Sequence, residues 1–346
     1  MNEARRQAYQ NLIESLLTCT SEEEIEILQA NLELVDDGFA QYLREWATET
    51  LATLDADRAY NRGNFLYGLN IRFYNLRQGS RASNLEVAIA CLEIGLTVVT
   101  REAYSEKWAK FQICLGVVYS QRIRGEKADN LELAIAAYQA SLEIWTREVF
   151  PKNWAMTQNN LGRAYSDRIR GEKADNLELA IAAFEAALKV RTRDAFPFEW
   201  AACQNNLAIA YCDRIRGEKA ENLELAIAAL EVSLEIYTRD AFPIDNANVL
   251  FSLGVAYQKN AQLPEAYNTF NYAIETVELM RSEIIRGGEA DRQKLAEEWN
   301  ELYHKMVEVC LQMENSTAAL EYVERSKTRN LVELFYKARS LQKNLQ

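Results

Sequence analysis

Trp154–Pro197 reads WAMTQNNLGRAYSDRIRGEKADNLELAIAAFEAALKVRTRDAFP, and the chain repeats it. Its middle portion, RIRGEKADNLELAIAA at Arg168–Ala183, stands unchanged at Arg122–Ala137 and returns at Arg214–Ala229 with Glu221 in place of Asp. The offset is 46 residues each time, and a weaker copy precedes them, with Gly79, Ser83, Asn84, Leu85, Glu86 and Ala88 in register. A fixed period in this range is the mark of a stacked array, in which each unit buries its apolar face against its neighbours.

Within one unit the apolar spacing predicts two antiparallel helices. Leu161, Ala164 and Tyr165 fall on one face of the first, with Trp154 two turns upstream and expected to be buried between units. Gly171, after Arg168 and Arg170, is the expected stop, a residue free to turn left-handed. Asp175-Asn-Leu-Glu178, like Ser83-Asn-Leu-Glu86 earlier, reads as a capping box opening the second helix, weakened at Glu221 unless Asn222 takes over. Leu177, Ala180, Ile181, Phe184, Ala187 and Leu188 form the second stripe, and Phe196-Pro197 is expected to stop it, as Phe150-Pro151 and Phe242-Pro243 stop the others.

Leu161-Gly162, Tyr165, Ala180, Phe184 and Ala187, with the parallel set Leu115-Gly116, Tyr119, Ala134, Tyr138 and Ser141, resemble the tetratricopeptide repeat. The chain departs from that pattern in length, with extra residues in the Gly-Glu-Lys-Ala-Asp-Asn turn and between units; longer surface turns cost little closure entropy. Leu253-Gly254, Tyr257, Ala266, Phe270 and Ala273 return to the short form. The resemblance implies an all-α fold, a right-handed α-α superhelix with extended 46-residue repeats. The expected organisation is an N-terminal helical cap over 1–56 and an array over 57–284, with four long repeats and one short one. A C-terminal helical pair and a terminal helix follow over 285–346.

Composition narrows function. The net charge of −12 disfavours nucleic acid and anionic membrane surfaces. No apolar leader or membrane span is legible, and the six cysteines are scattered without a CxxC pair, so a cytoplasmic protein with reduced packing thiols is expected. With His304 alone, no paired cysteines and no phosphate loop, the sequence points to no metal, no cofactor and no catalytic residues.

Binding is the remaining reading. The resemblance implies that the first helix of each unit lines an inner groove, where asparagines before the Leu-Gly position hold a peptide backbone. Asn160 and Asn206 stand at that position beside Asn159 and Asn205, with Arg163 and Asp167 further along. An amide both donates and accepts, so it can hold an extended chain of any sequence; equally, it can bridge neighbouring helices. The arginine rows Arg122, Arg168, Arg214 and Arg124, Arg170, Arg216 suit an acidic partner or local bridges to Glu126, Asp167, Glu172 and Asp213. Ala318–Leu334 (AALEYVERSKTRNLVEL) resembles the helix preceding caspase-like CHAT domains, which implies a regulatory arm whose peptidase would lie elsewhere, docked on Leu331, Leu334 and Phe335. Three functions follow: a scaffold binding a protein or peptide partner, that regulatory arm, or a self-assembling array forming homo-oligomers.

Overall fold

The structure is a computed structural model describing residues 2–20, 22–284 and 299–326. Among these residues all regular structure is helical, and no helix is long and apolar enough to cross a membrane. Two compact units meet between Val190 and Arg191.

The first unit opens with α1 (Glu3–Thr18), α2 (Glu23–Ala30) and α3 (Asp37–Leu51). The restart at Thr20 is a true capping box: the Glu23 carboxylate accepts from the Thr20 amide at 2.8 Å, while the Thr20 hydroxyl accepts from the Glu23 amide at 3.4 Å. Asp36 joins α1 to α3, accepting from the Tyr9 hydroxyl, Arg5 and the Phe39 amide. Tyr9, Phe39 and Phe73 form a buried aromatic chain behind it.

Three hairpins follow: α4 (Ala56–Asn75) with α5 (Arg81–Val98), α6 (Ser105–Ser120) with α7 (Lys127–Leu142), and α8 (Pro151–Asp167) with α9 (Lys173–Leu188). The second and third close on a glycine. A Cβ built on Gly116 would lie 2.4 Å from the Tyr138 ring, and one on Gly162 would lie 2.7 Å from the Phe184 ring. The aromatic of the second helix therefore rests directly on the backbone of the first.

Two sequence expectations are corrected here. The Phe-Pro pairs do not stop second helices: α7 and α9 end at Leu142 and Leu188, and Pro151 and Pro197 instead open the next first helix. Proline suits that place because its missing N–H would be unpaired there anyway. The expected capping boxes also fail. Helix α9 starts at Lys173, two residues before Asp175, and buried Asn176 instead donates backwards to the Arg170 carbonyl at 2.9 Å. Asn130 and Asn222 do the same to Arg124 and Arg216, each at 2.8 Å, so the asparagine clip survives the change to Glu221. The clip spans a left-handed glycine, φ +74° at Gly125 and +79° at Gly171.

Neighbouring hairpins are tied through charge and phenol. Arg122 grips Glu86 with two bonds of 2.7 and 2.8 Å, and Arg168 grips Glu132 with 2.8 and 2.7 Å. Arg124 reaches Asp37 at 2.9 Å and Arg170 reaches Asp129. Except for Asp37, which opens α3, these partners lie on the preceding hairpin; among the described residues Glu126, Asp167 and Glu172 bridge to none of these arginines, and Asp213 pairs with Lys259 at 2.7 Å. The repeated tyrosine spans the same joint, Tyr119 donating to Glu93 at 2.8 Å and Tyr165 accepting from Gln139 at 2.9 Å.

The second unit holds α10 (Pro197–Asp213) against α11 (Lys219–Leu234) and α12 (Pro243–Lys259) against α13 (Leu263–Ile284). Then comes α14 (Asn300–Gln312) with a helical segment over 316–326. In the α10–α11 hairpin Ala208 replaces the glycine and Leu230 replaces the aromatic, both fully buried. Trp299, Met306 and Ala319 join Phe270 in one core, as the spacing of the last repeat requires. Trp154, expected to be buried, is only partly covered and lies under Arg147; Trp145 is the tryptophan sunk in the core, at 1% exposure.

Candidate functional site

The hairpin geometry sets α4, α6 and α8 side by side, and their shared face walls a cavity of about 380 Å³ within the first unit. The lining follows the repeat register. Tyr67 and Ile113, Ile71 and Val117, Lys110 and Met156, and Cys114 and Asn160 are each separated by one 46-residue step. Tyr74, Asn153 and the Trp145 ring complete the walls.

Most of this surface is apolar, and its polar groups are few. Asn70 is buried and donates to the Tyr67 carbonyl at 3.2 Å. The Cys114 thiol faces the Tyr67 hydroxyl at 3.8 Å; burial raises the pKa of both, so neither is ionised at neutral pH. Lys110 pairs with Glu106 at 2.9 Å. The Trp145 indole N–H is buried with no acceptor, and the side-chain amides of Asn153 and Asn160 have no hydrogen-bond partner among the described residues. This wall offers apolar area, an unmet donor and two unspent amides, which is chemistry for holding a chain.

Of the residues singled out from sequence, Asn160 alone lines the cavity. Asn159, its neighbour on α8, is buried and does not line it. Arg163 and Asp167 are exposed on α8 beyond the lining. Asn205 and Asn206 lie on α10 in the second unit, both half-buried, with the Asn205 carbonyl oxygen buried and lacking a partner. Sequence reasoning missed Tyr67, Tyr74, Asn153, Met156 and Trp145. Stepping back 46 residues from Ile113 finds Tyr67, but Trp145 sits in the linker after α7, where helical periodicity gives no signal.

Elsewhere the described residues show no group of three metal-ligating side chains, and all six cysteines are free. Burial pushes the Cys203 thiol up to about 12 and the Cys212 thiol up to about 11. His304 is exposed on α14. Of the stretch likened to CHAT-associated helices, residues 327–334 lie outside the described residues, as do Leu331, Leu334 and Phe335.

Comparison with known proteins agrees with the hairpin geometry. Residues 200–239 match the family model for the tetratricopeptide repeat. That match spans most of α10 and all of α11. No curated protein matches its sequence. Among solved structures, the apo form of RapI is 14% identical with TM-score 0.52, covering 78% of this chain and 98% of its own. PilF of Pseudomonas aeruginosa is 16% identical with TM-score 0.48, covering 82% and 99%. The Rap conjugation gene regulator of plasmid pLS20, solved with the Phr* peptide, is 13% identical with TM-score 0.48, covering 99% and 97%. At these identities the RapI likeness is one of fold.

Proposed function

We propose that this tetratricopeptide-repeat chain is a non-enzymatic interaction scaffold that holds an extended peptide segment of a partner in the groove of α4, α6 and α8. One observation carries the reading: the amides of Asn153 and Asn160 stand unspent on the wall of an apolar cavity shared by three successive first helices. Apolar walls supply affinity, and amides take backbone N–H and C=O groups without regard to sequence.

The test uses peptides selected from a random display library on the whole chain and titrated by calorimetry. Asn160→Ala is expected to weaken binding about tenfold, the loss of roughly one well-placed hydrogen bond, with an unchanged melting temperature. The bound peptide is expected to be recovered intact by mass spectrometry. Unaltered affinity in Asn160→Ala, or cleavage of the peptide, would sink the proposal.

A further inference from the structure

The groove's charge runs against that of the chain. The protein carries a net charge of −12, yet no Asp or Glu lines the cavity. A second, smaller cavity of about 270 Å³ opens between α2 and the end of α4, lined by Ile25, Leu28, Ile71, Arg72, Leu76 and Arg77 among others, again without a carboxylate. Ile71, 39% exposed, belongs to both walls, so one extended occupant can cross it and enter both hollows.

Every charged residue lining the two cavities is a cation: Lys110, Arg72 and Arg77. Lys110 is matched by Glu106, and Arg72 by Glu24 at 2.9 Å. Arg77 is exposed and has no ion-pair partner among the described residues. Nearby, the Lys107 ammonium stands 4.3 Å from the centre of the Tyr67 ring. At the other end the unmet Trp145 indole N–H asks for an acceptor.

We infer that the segment held here is acidic around a bulky apolar residue, which enters the larger cavity while an Asp or Glu reaches Arg77 across Ile71. The inference rests on the groove reading above and adds the chemistry of the ligand. Burial of the apolar side chain against Tyr67, Ile113 and Met156 gives affinity; the one-sign wall rejects basic segments and steers acidic ones in.

The same display selection on the whole chain tests it. The enriched peptides are expected to carry an aromatic or Leu residue next to Asp or Glu. A fluorescein-labelled consensus peptide, read by polarisation, is expected to bind several-fold more weakly when salt rises from about 50 to 500 mM. Ile71→Glu and Ile71→Lys both remove the shared apolar wall but place opposite charges there. Ile71→Glu should weaken binding about tenfold more than Ile71→Lys, and Arg77→Ala about threefold. Met156→Trp fills the cavity and should abolish binding. Met156 is 36% exposed, so these variants should keep the fold, and melting curves check this. A neutral or basic consensus, bound equally by Ile71→Glu and Ile71→Lys yet blocked by Met156→Trp, overturns the acidic ligand and leaves the groove standing. Peptides indifferent to Met156→Trp, or no enrichment at all, overturn the groove reading with it.

Discussion

Replacing Gly162 with Ala tests the ring-on-glycine packing of the α8–α9 hairpin. The added Cβ would lie 2.7, 2.8 and 2.9 Å from three atoms of the Phe184 ring, whereas ordinary contact begins at 3.4 Å. Phe184 is 1% exposed and cannot swing out to solvent. Overpacking of this kind costs about 1–3 kcal/mol, while alanine recovers about 1 kcal/mol of helix propensity. The net loss is about 0–2 kcal/mol, or a melting temperature lower by up to roughly 4–8 °C for a unit of this size. The α10–α11 hairpin shows the compensation, with Ala208 and Leu230 packed in one core. Phe184→Leu alone should cost about 1–2 kcal/mol for the space it leaves, whereas Gly162→Ala with Phe184→Leu should melt above either single variant. Because repeat arrays need not unfold in one step, hydrogen exchange of the α8 and α9 amides should accompany the melts. Additive single effects, or a Gly162→Ala protein more stable than wild type, would show that the ring does not rest on the glycine.

Asn176→Ala should cost about 1–3 kcal/mol by stranding the Arg170 carbonyl, with faster exchange across residues 168–176 as the readout. Trp145→Ala should cost about 3–5 kcal/mol, and partly covered Trp154→Ala clearly less, in parallel melts. Arg168 holds the Glu132 carboxyl below its usual range, mainly through the hydrogen bonds it donates. That contribution is fully present above the unfolded value of about 4.3; it declines as the pH falls below this and is gone beneath the lowered folded value. Glu132→Gln should therefore flatten the acid limb of a stability–pH curve, and an unchanged limb would show that the pair does not stabilise the joint.

The repeat was legible because it is written in covalent spacing: Tyr165 and Phe184 do what the 46-residue register implies, and Gly171 turns left-handed as expected although α8 already ends at Asp167. Capping and stopping were less legible, since one residue type serves two ends of a helix. Asn176 read as part of an opening box although it binds backwards, and Pro197 read as a stop although it begins α10. The arginine rows were visible, but their partners, 36 residues earlier, become neighbours only when hairpins stack. At the groove, Asn160 came from the resemblance, as the residue before Leu161-Gly162. Trp145 and Tyr74 did not, because a cavity wall gathers residues by proximity and not by period.

The arginine grips bear on mechanics. Inside the α6–α7 and α8–α9 hairpins, apolar faces and a ring on a glycine hold the helices, and ions in solution do not touch that bond. Between hairpins a share of the fastening is ionic, through Arg122, Arg168 and Arg170. Added electrolyte should loosen the hinges while leaving the plates rigid, so the bending compliance of this stretch becomes an adjustable quantity, set by the medium rather than by the fold.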